Sequence, residues 1–117
     1  METINPLPIE YKEIPGENET TYLWTKGDEE LARVIAKEPK SYYPKIEFIL
    51  KESLIPYYEE DKKSALDEIG EMSMYSGMQT RTEDGFIHGS IKCSHNASLG
   101  IGSMVQSVRG WVDKLKN

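Results

Sequence analysis

The dipeptide Asp84-Gly85 narrows most what this chain can fold into. Both positions of a two-residue hairpin loop need positive φ, which Asp tolerates and Gly adopts freely. The flanking runs agree with such a turn. With Asp84-Gly85 as the loop, Glu83 pairs with Phe86, Thr82 with Ile87, Arg81 with His88, Thr80 with Gly89 and Met78 with Ile91. One face of this ribbon then reads Met78, Thr80, Thr82, Ile87, Ile91 and Cys93. The other reads Gln79, Arg81, His88, Ser90 and Lys92. Register sorts apolar with apolar and polar with polar, so turn chemistry and side-chain pattern select one pairing.

A second hairpin is expected near the N-terminus. Pro15-Gly16-Glu17-Asn18 is a turn signal, and Thr20–Thr25 is rich in β-branched and aromatic residues. Between the hairpins the spacing predicts three helices. In the first, Asp28 is the N-cap, Leu31, Val34 and Ile35 are the apolar stripe, and Pro39 forces an end by Glu38. Ser41 caps the second, whose stripe is Ile46, Ile49, Leu50 and Leu54, widened by Phe48. The third begins near Tyr58 and runs to about Ser73 or Met74, with Ala65, Leu66, Ile69 and Met72 facing one way. A last helix, capped by Asn96 or Ser98, carries Ile101, Met104, Val105, Val108, Trp111, Val112 and Leu115 at steps of three and four. The expectation is an α+β fold: a small antiparallel sheet of two hairpins packed against about four helices. A mainly α bundle with one β-hairpin is the competing architecture.

At 117 residues the chain suits a single domain, 1–117, with residues 1–19 as an extended or partly flexible N-terminal arm. Apolar residues at 38% and charged residues at 29% place it among globular rather than disordered chains. No run of about 18 apolar residues exists, and METINPLPIEYKE lacks the basic-then-apolar order of a signal peptide. With one cysteine there is no internal disulfide, so the expected setting is cytoplasmic, without membrane contact.

Charge is uneven. Residues 1–75 hold 9 basic and 17 acidic side chains, a net of −8, and residues 76–117 hold 5 and 3, a net of +2. The acidic part repels a phosphate backbone, which makes nucleic acid an unlikely partner and a basic protein surface a suitable one. The sharpest candidates for such a contact are Tyr42, Tyr43, Tyr57 and Tyr58 with Glu59, Glu60 and Asp61. Tyrosine offers apolar area and a hydroxyl together, and the neighbouring carboxylates supply charge. The function this implies is a small acidic protein-binding module without a cofactor and without enzymatic activity. It would be an inhibitor or adaptor, of the kind phages and mobile elements encode, that occludes a basic surface of its partner.

Two alternatives come from residues 86–103. Asn96, Ser98, Gly100 and Gly102 at the start of the last helix, with Arg81, His88, Lys92 or Arg109, could bind a small anionic ligand such as a nucleotide. The glycines fit neither the dinucleotide pattern nor a P-loop, because Val105 stands at the third glycine position and no Lys follows. Cys93 and His95 could serve a small enzyme or a metal site. His88 is out of phase with both, so only two ligands share a face where zinc takes about four.

Overall fold

The computed structural model describes residues 8–94 and 97–116. Its centre is a six-stranded antiparallel sheet. Strands β1 (Ile9–Gly16), β2 (Glu19–Lys26), β3 (Glu29–Lys37) and β4 (Lys45–Lys51) form a meander. The chain then leaves the sheet through a 3₁₀ turn at Glu52–Leu54. A small hairpin follows, β5 (Tyr57–Tyr58) with β6 (Lys63–Ser64), and then a short helix α1 (Ala65–Gly70). It returns as the hairpin β7 (Tyr75–Glu83) and β8 (Phe86–Cys93), with β8 paired to β4. The long helix α2 (Ala97–Asp113) closes the fold, followed by a 3₁₀ turn at Lys114–Lys116.

This architecture overturns both the four-helix α+β expectation and the bundle alternative. The segments expected as the first two helices are β3 and β4, in the middle of the sheet. In β4, Ile46, Phe48 and Leu50 are buried while Lys45, Glu47, Ile49 and Lys51 face away. Ile46, Ile49 and Leu50 also fit a helical stripe, and a seven-residue run satisfies both periods. Burial between two neighbouring strands decides for the sheet. Asp28, expected as a helix cap, instead sits in the Gly27-Asp28 loop that turns β2 into β3, since Lys26 pairs with Glu29. Of the third expected helix only Ala65–Gly70 is helical. Its start is fixed by a capping box between Ser64 and Asp67.

Other elements match their sequence signals. The Asp84-Gly85 hairpin holds the expected register from Glu83↔Phe86 to Thr80↔Gly89. Beyond that a bulge between Ser76 and Gln79 displaces the expected Met78–Ile91 pair, so that Gln79 lies opposite Ser90 and Ser76 opposite Lys92. Gly77, at φ 61°, supplies the left-handed residue this bulge uses. In α2, Ile101, Met104, Val105, Val108, Trp111 and Val112 are all buried. Leu115, expected on the same stripe, falls in the terminal 3₁₀ turn and is 48% exposed.

The core lies between one face of the sheet and the helices. Trp24, Ala32, Val34, Ala36, Ile46, Phe48, Leu50, Ile91 and Cys93 come from the strands, and the α2 stripe lies against them. Leu54, Leu66 and Ile69 extend it under the excursion between β4 and β7. Phe48 lies beside Gly89 on the neighbouring strand. A Cβ at position 89 would stand 2.3 Å from Phe48 Cζ and 3.0 Å from the Gln79 carbonyl oxygen. Among the described residues no element covers the opposite face of the sheet. Its residues Leu23, Arg33, Ile35, Glu47, Ile49, His88 and Ser90 are half-buried.

Gly89→Ala should therefore cost about 1–3 kcal/mol, because the ring must move or the strands must part. Gly110→Ala, on an exposed position of α2 with no atom within 4 Å of the added carbon, should gain up to about 1 kcal/mol. Urea titration of both variants checks the pair.

Candidate functional site

The β5–β6 hairpin brings five of the expected contact residues together. Its turn runs through Glu59 to Lys62, closed by the Lys62 N–H donating to the Glu59 carbonyl, with Lys62 at φ 51°. Tyr57, Tyr58, Glu59, Glu60 and Asp61, joined by Glu68 from α1, line one depression of about 490 Å³. Both rings stand well into solvent, Tyr57 at 55% and Tyr58 at 40% exposure. Among the described residues no cation lines the depression. Lys63 directs its ammonium to Glu71, at 2.7 and 2.8 Å, and that hydrogen bond raises its pKa.

Tyr42 and Tyr43 do not join this group. They precede β4, edge-to-face with ring centroids 4.6 Å apart, whereas Tyr57 and Tyr58 lie beyond its far end. A seven-residue strand and a 3₁₀ turn lie between the two pairs along the chain, and Tyr42 and Tyr43 do not line the hairpin's depression.

The proposed anion ligands divide between the two faces of the sheet. Arg81 and His88 are cross-strand partners, and Lys92 follows His88 in phase, all on the open face. Gly100, Gly102 and Arg109 belong to α2, on the covered face. Gly100 packs directly on β8: a Cβ there would stand 2.7 Å from Cys93 Sγ. Its carbonyl accepts the Tyr75 hydroxyl hydrogen bond. Arg109 lies over the Tyr11 ring at 5.0 Å, in a groove of about 400 Å³ that also contains Glu13, Tyr22 and Gln106. Asn96 and His95 fall outside the described residues, as does the Ser98 side chain.

Cys93 is buried at 1% exposure, and burial pushes its thiol pKa up. A thiol held in its protonated form is a poor nucleophile and a poor metal ligand. Among the described residues no group of three or more His, Cys, Asp or Glu side chains converges as a metal site, and no helix is long and apolar enough to cross a membrane.

Residues that the sequence reading passed over complete the open face. Register sets three rows across β3, β4, β8 and β7. They are Arg33, Ile49, His88 and Arg81; then Ile35, Glu47, Ser90 and Gln79; then Lys37, Lys45, Lys92 and Ser76. The alternation of Lys45, Glu47 and Lys51 with Ile46, Phe48 and Leu50, broken only at Ile49, is the signal that could have found them. No family model, curated protein or solved structure matches this chain.

Burial raises the pKa of Tyr75 as well as Cys93, and also those of Tyr11 and Tyr22. Unfolded thiols and phenols ionise near about 8.5 and about 10, before the folded ones do. Above about pH 8.5 the unfolded chain thus binds fewer protons, and stability falls as pH rises toward the folded values. Cys93→Ala with Tyr75→Phe should flatten this alkaline decline without abolishing it, in urea titrations across pH 7.5–10.5, a window set by these reference values. Losing the Tyr75 hydroxyl should also cost about 0.5–1.5 kcal/mol at neutral pH. Native Cys93 should resist a thiol reagent that labels it promptly in denaturant.

Proposed function

We propose that this protein is a non-enzymatic binding module that holds a basic surface of a protein partner with its β5–β6 hairpin, acting as an inhibitor or adaptor in the cytoplasm. One observation carries this reading: the depression at the hairpin is lined by two solvent-exposed tyrosine rings and four carboxylates, with no cation among them. A Lys or Arg side chain entering it would meet ring faces and negative charge together. Tyrosine costs little conformational entropy to immobilise, since two torsions fix it. The surplus negative charge of residues 1–75 would speed encounter with a positive partner at low salt.

The hairpin is well placed for such a role. It leaves the main sheet at the end of β4 and is anchored at its base by the Ser64–Asp67 capping box and the Ala65–Gly70 helix. Leu54, Leu66 and Ile69 tie that base into the core. The tip can therefore be altered without disturbing the fold.

Immobilised wild-type protein should retain a partner from extract, and the affinity of that partner should fall steeply between about 50 and 500 mM salt. The triple variant Tyr57→Ala, Glu59→Gln, Glu60→Gln should bind it at least about 30-fold more weakly, the scale of one lost hot spot. Its melting temperature should stay within about 2 °C of wild type, as expected for exposed positions. A partner held equally by the triple variant removes the hairpin from the interaction.

A further inference from the structure

The open face of the sheet carries a charge arrangement that its own residues leave unresolved. Lys37, Lys45 and Lys92 are directly opposite one another on β3, β4 and β8. Like charges in cross-strand register destabilise a sheet. Lys37 is compensated by Glu19 at 2.9 Å and Glu47 at 3.7 Å. Lys45 and Lys92 have no ion-pair partner among the described residues. Both are exposed, and both border a depression of about 370 Å³ whose other walls are Ser76, Gly77, Gln79 and Ser90. Two ammonium groups, two hydroxyls and one amide thus surround a space with no carboxylate in its wall among the described residues.

A neighbouring depression of about 450 Å³ shares Gln79 and Ser90 with the first. It continues past Ile35 and Glu47, which share a row with Gln79 and Ser90, to Ile49, His88 and Arg81. The two together form one trough running along β8. The end at Lys45 and Lys92 would take an anion, and the rest offers the apolar side chains of Ile35 and Ile49 with the polar groups of Glu47, His88 and Arg81 to whatever carries it.

We propose that Lys45 and Lys92, with Ser76, Gln79 and Ser90, bind the phosphoryl group of a small ligand whose body lies along this trough. A dianion between the two ammonium groups turns their mutual repulsion into attraction, and its several oxygens match the surrounding hydroxyl and amide donors. The site is separate from the β5–β6 hairpin and from the start of α2, and it stands or falls independently of the partner-binding reading.

The test uses the full chain at constant ionic strength with inorganic phosphate and pyrophosphate as probes. Saturable amide shifts should centre on residues 45, 76, 79, 90 and 92, and pyrophosphate should raise the melting temperature. Lys45→Gln with Lys92→Gln should remove both effects, whereas Lys12→Gln with Lys114→Gln, the same charge loss elsewhere, should keep them. Without ligand, Lys92→Gln alone should melt at or above the wild-type temperature in low salt, because it relieves the repulsion. Shifts that never saturate, that spread evenly over lysines, or that persist in the Lys45 and Lys92 variant overturn the site. A phosphoserine peptide that binds more tightly than a nucleoside monophosphate overturns the small-ligand assignment.

Discussion

The docking of α2 onto the strands is the contact on which the rest depends. A six-stranded sheet exposes two faces, and this chain supplies one long helix to cover part of one of them. The helix can lie close to β8 because Gly100 presents no side chain to Cys93, and Tyr75 from the outermost strand ties its hydroxyl to the same residue. The buried stripe from Ile101 to Val112 then faces β3, β4 and β8, where small and large side chains alternate: Ala32, Val34 and Ala36 beside Ile46, Phe48 and Leu50. The central strands β3 and β4 are buried on one face only. That is why these strands alternate instead of reading as continuous apolar runs.

Legibility followed how local each signal was. The β7–β8 turn is set by two adjacent residues and the α2 stripe by neighbours three and four apart, so both could be read from the chain. Residues 29–37 and 45–51 carried a conflict that local spacing does not settle. Val34-Ile35 and Ile46 through Leu50 suit a strand by residue type, but Asp28, the acidic residues after it and the prolines suit helix boundaries. Partners distant in sequence resolved it, since β3 and β4 are held between β2 and β8. The same locality decides the candidate sites. Tyr57 through Asp61 are contiguous and stay together whether the segment is helix or hairpin. Lys45 and Lys92 become neighbours only once β4 is known to be a strand beside β8.

The two candidate surfaces also divide the charge of the molecule. Acid gathers on an excursion outside the sheet, where a short helix and a capping box hold it, and unpaired base gathers on the open face between ladder hydrogen bonds. The hairpin tip lies outside the ladder of the main sheet. The trough cannot shift without breaking the register of β4, β8 and β7. The first suits a broad contact and the second a small, defined one.

The bulge between Ser76 and Gln79 has a bearing on how the chain behaves in company. β7 is an edge strand, and a straight edge of nine residues would offer its free N–H and C=O groups to any passing strand. Gly77 and Met78 interrupt that row near one end, and the Arg81–Glu83 ion pair occupies the other. An incoming strand would find only a short template between them. The irregularity that displaced the expected Met78–Ile91 pair thus also shortens the template that this edge offers.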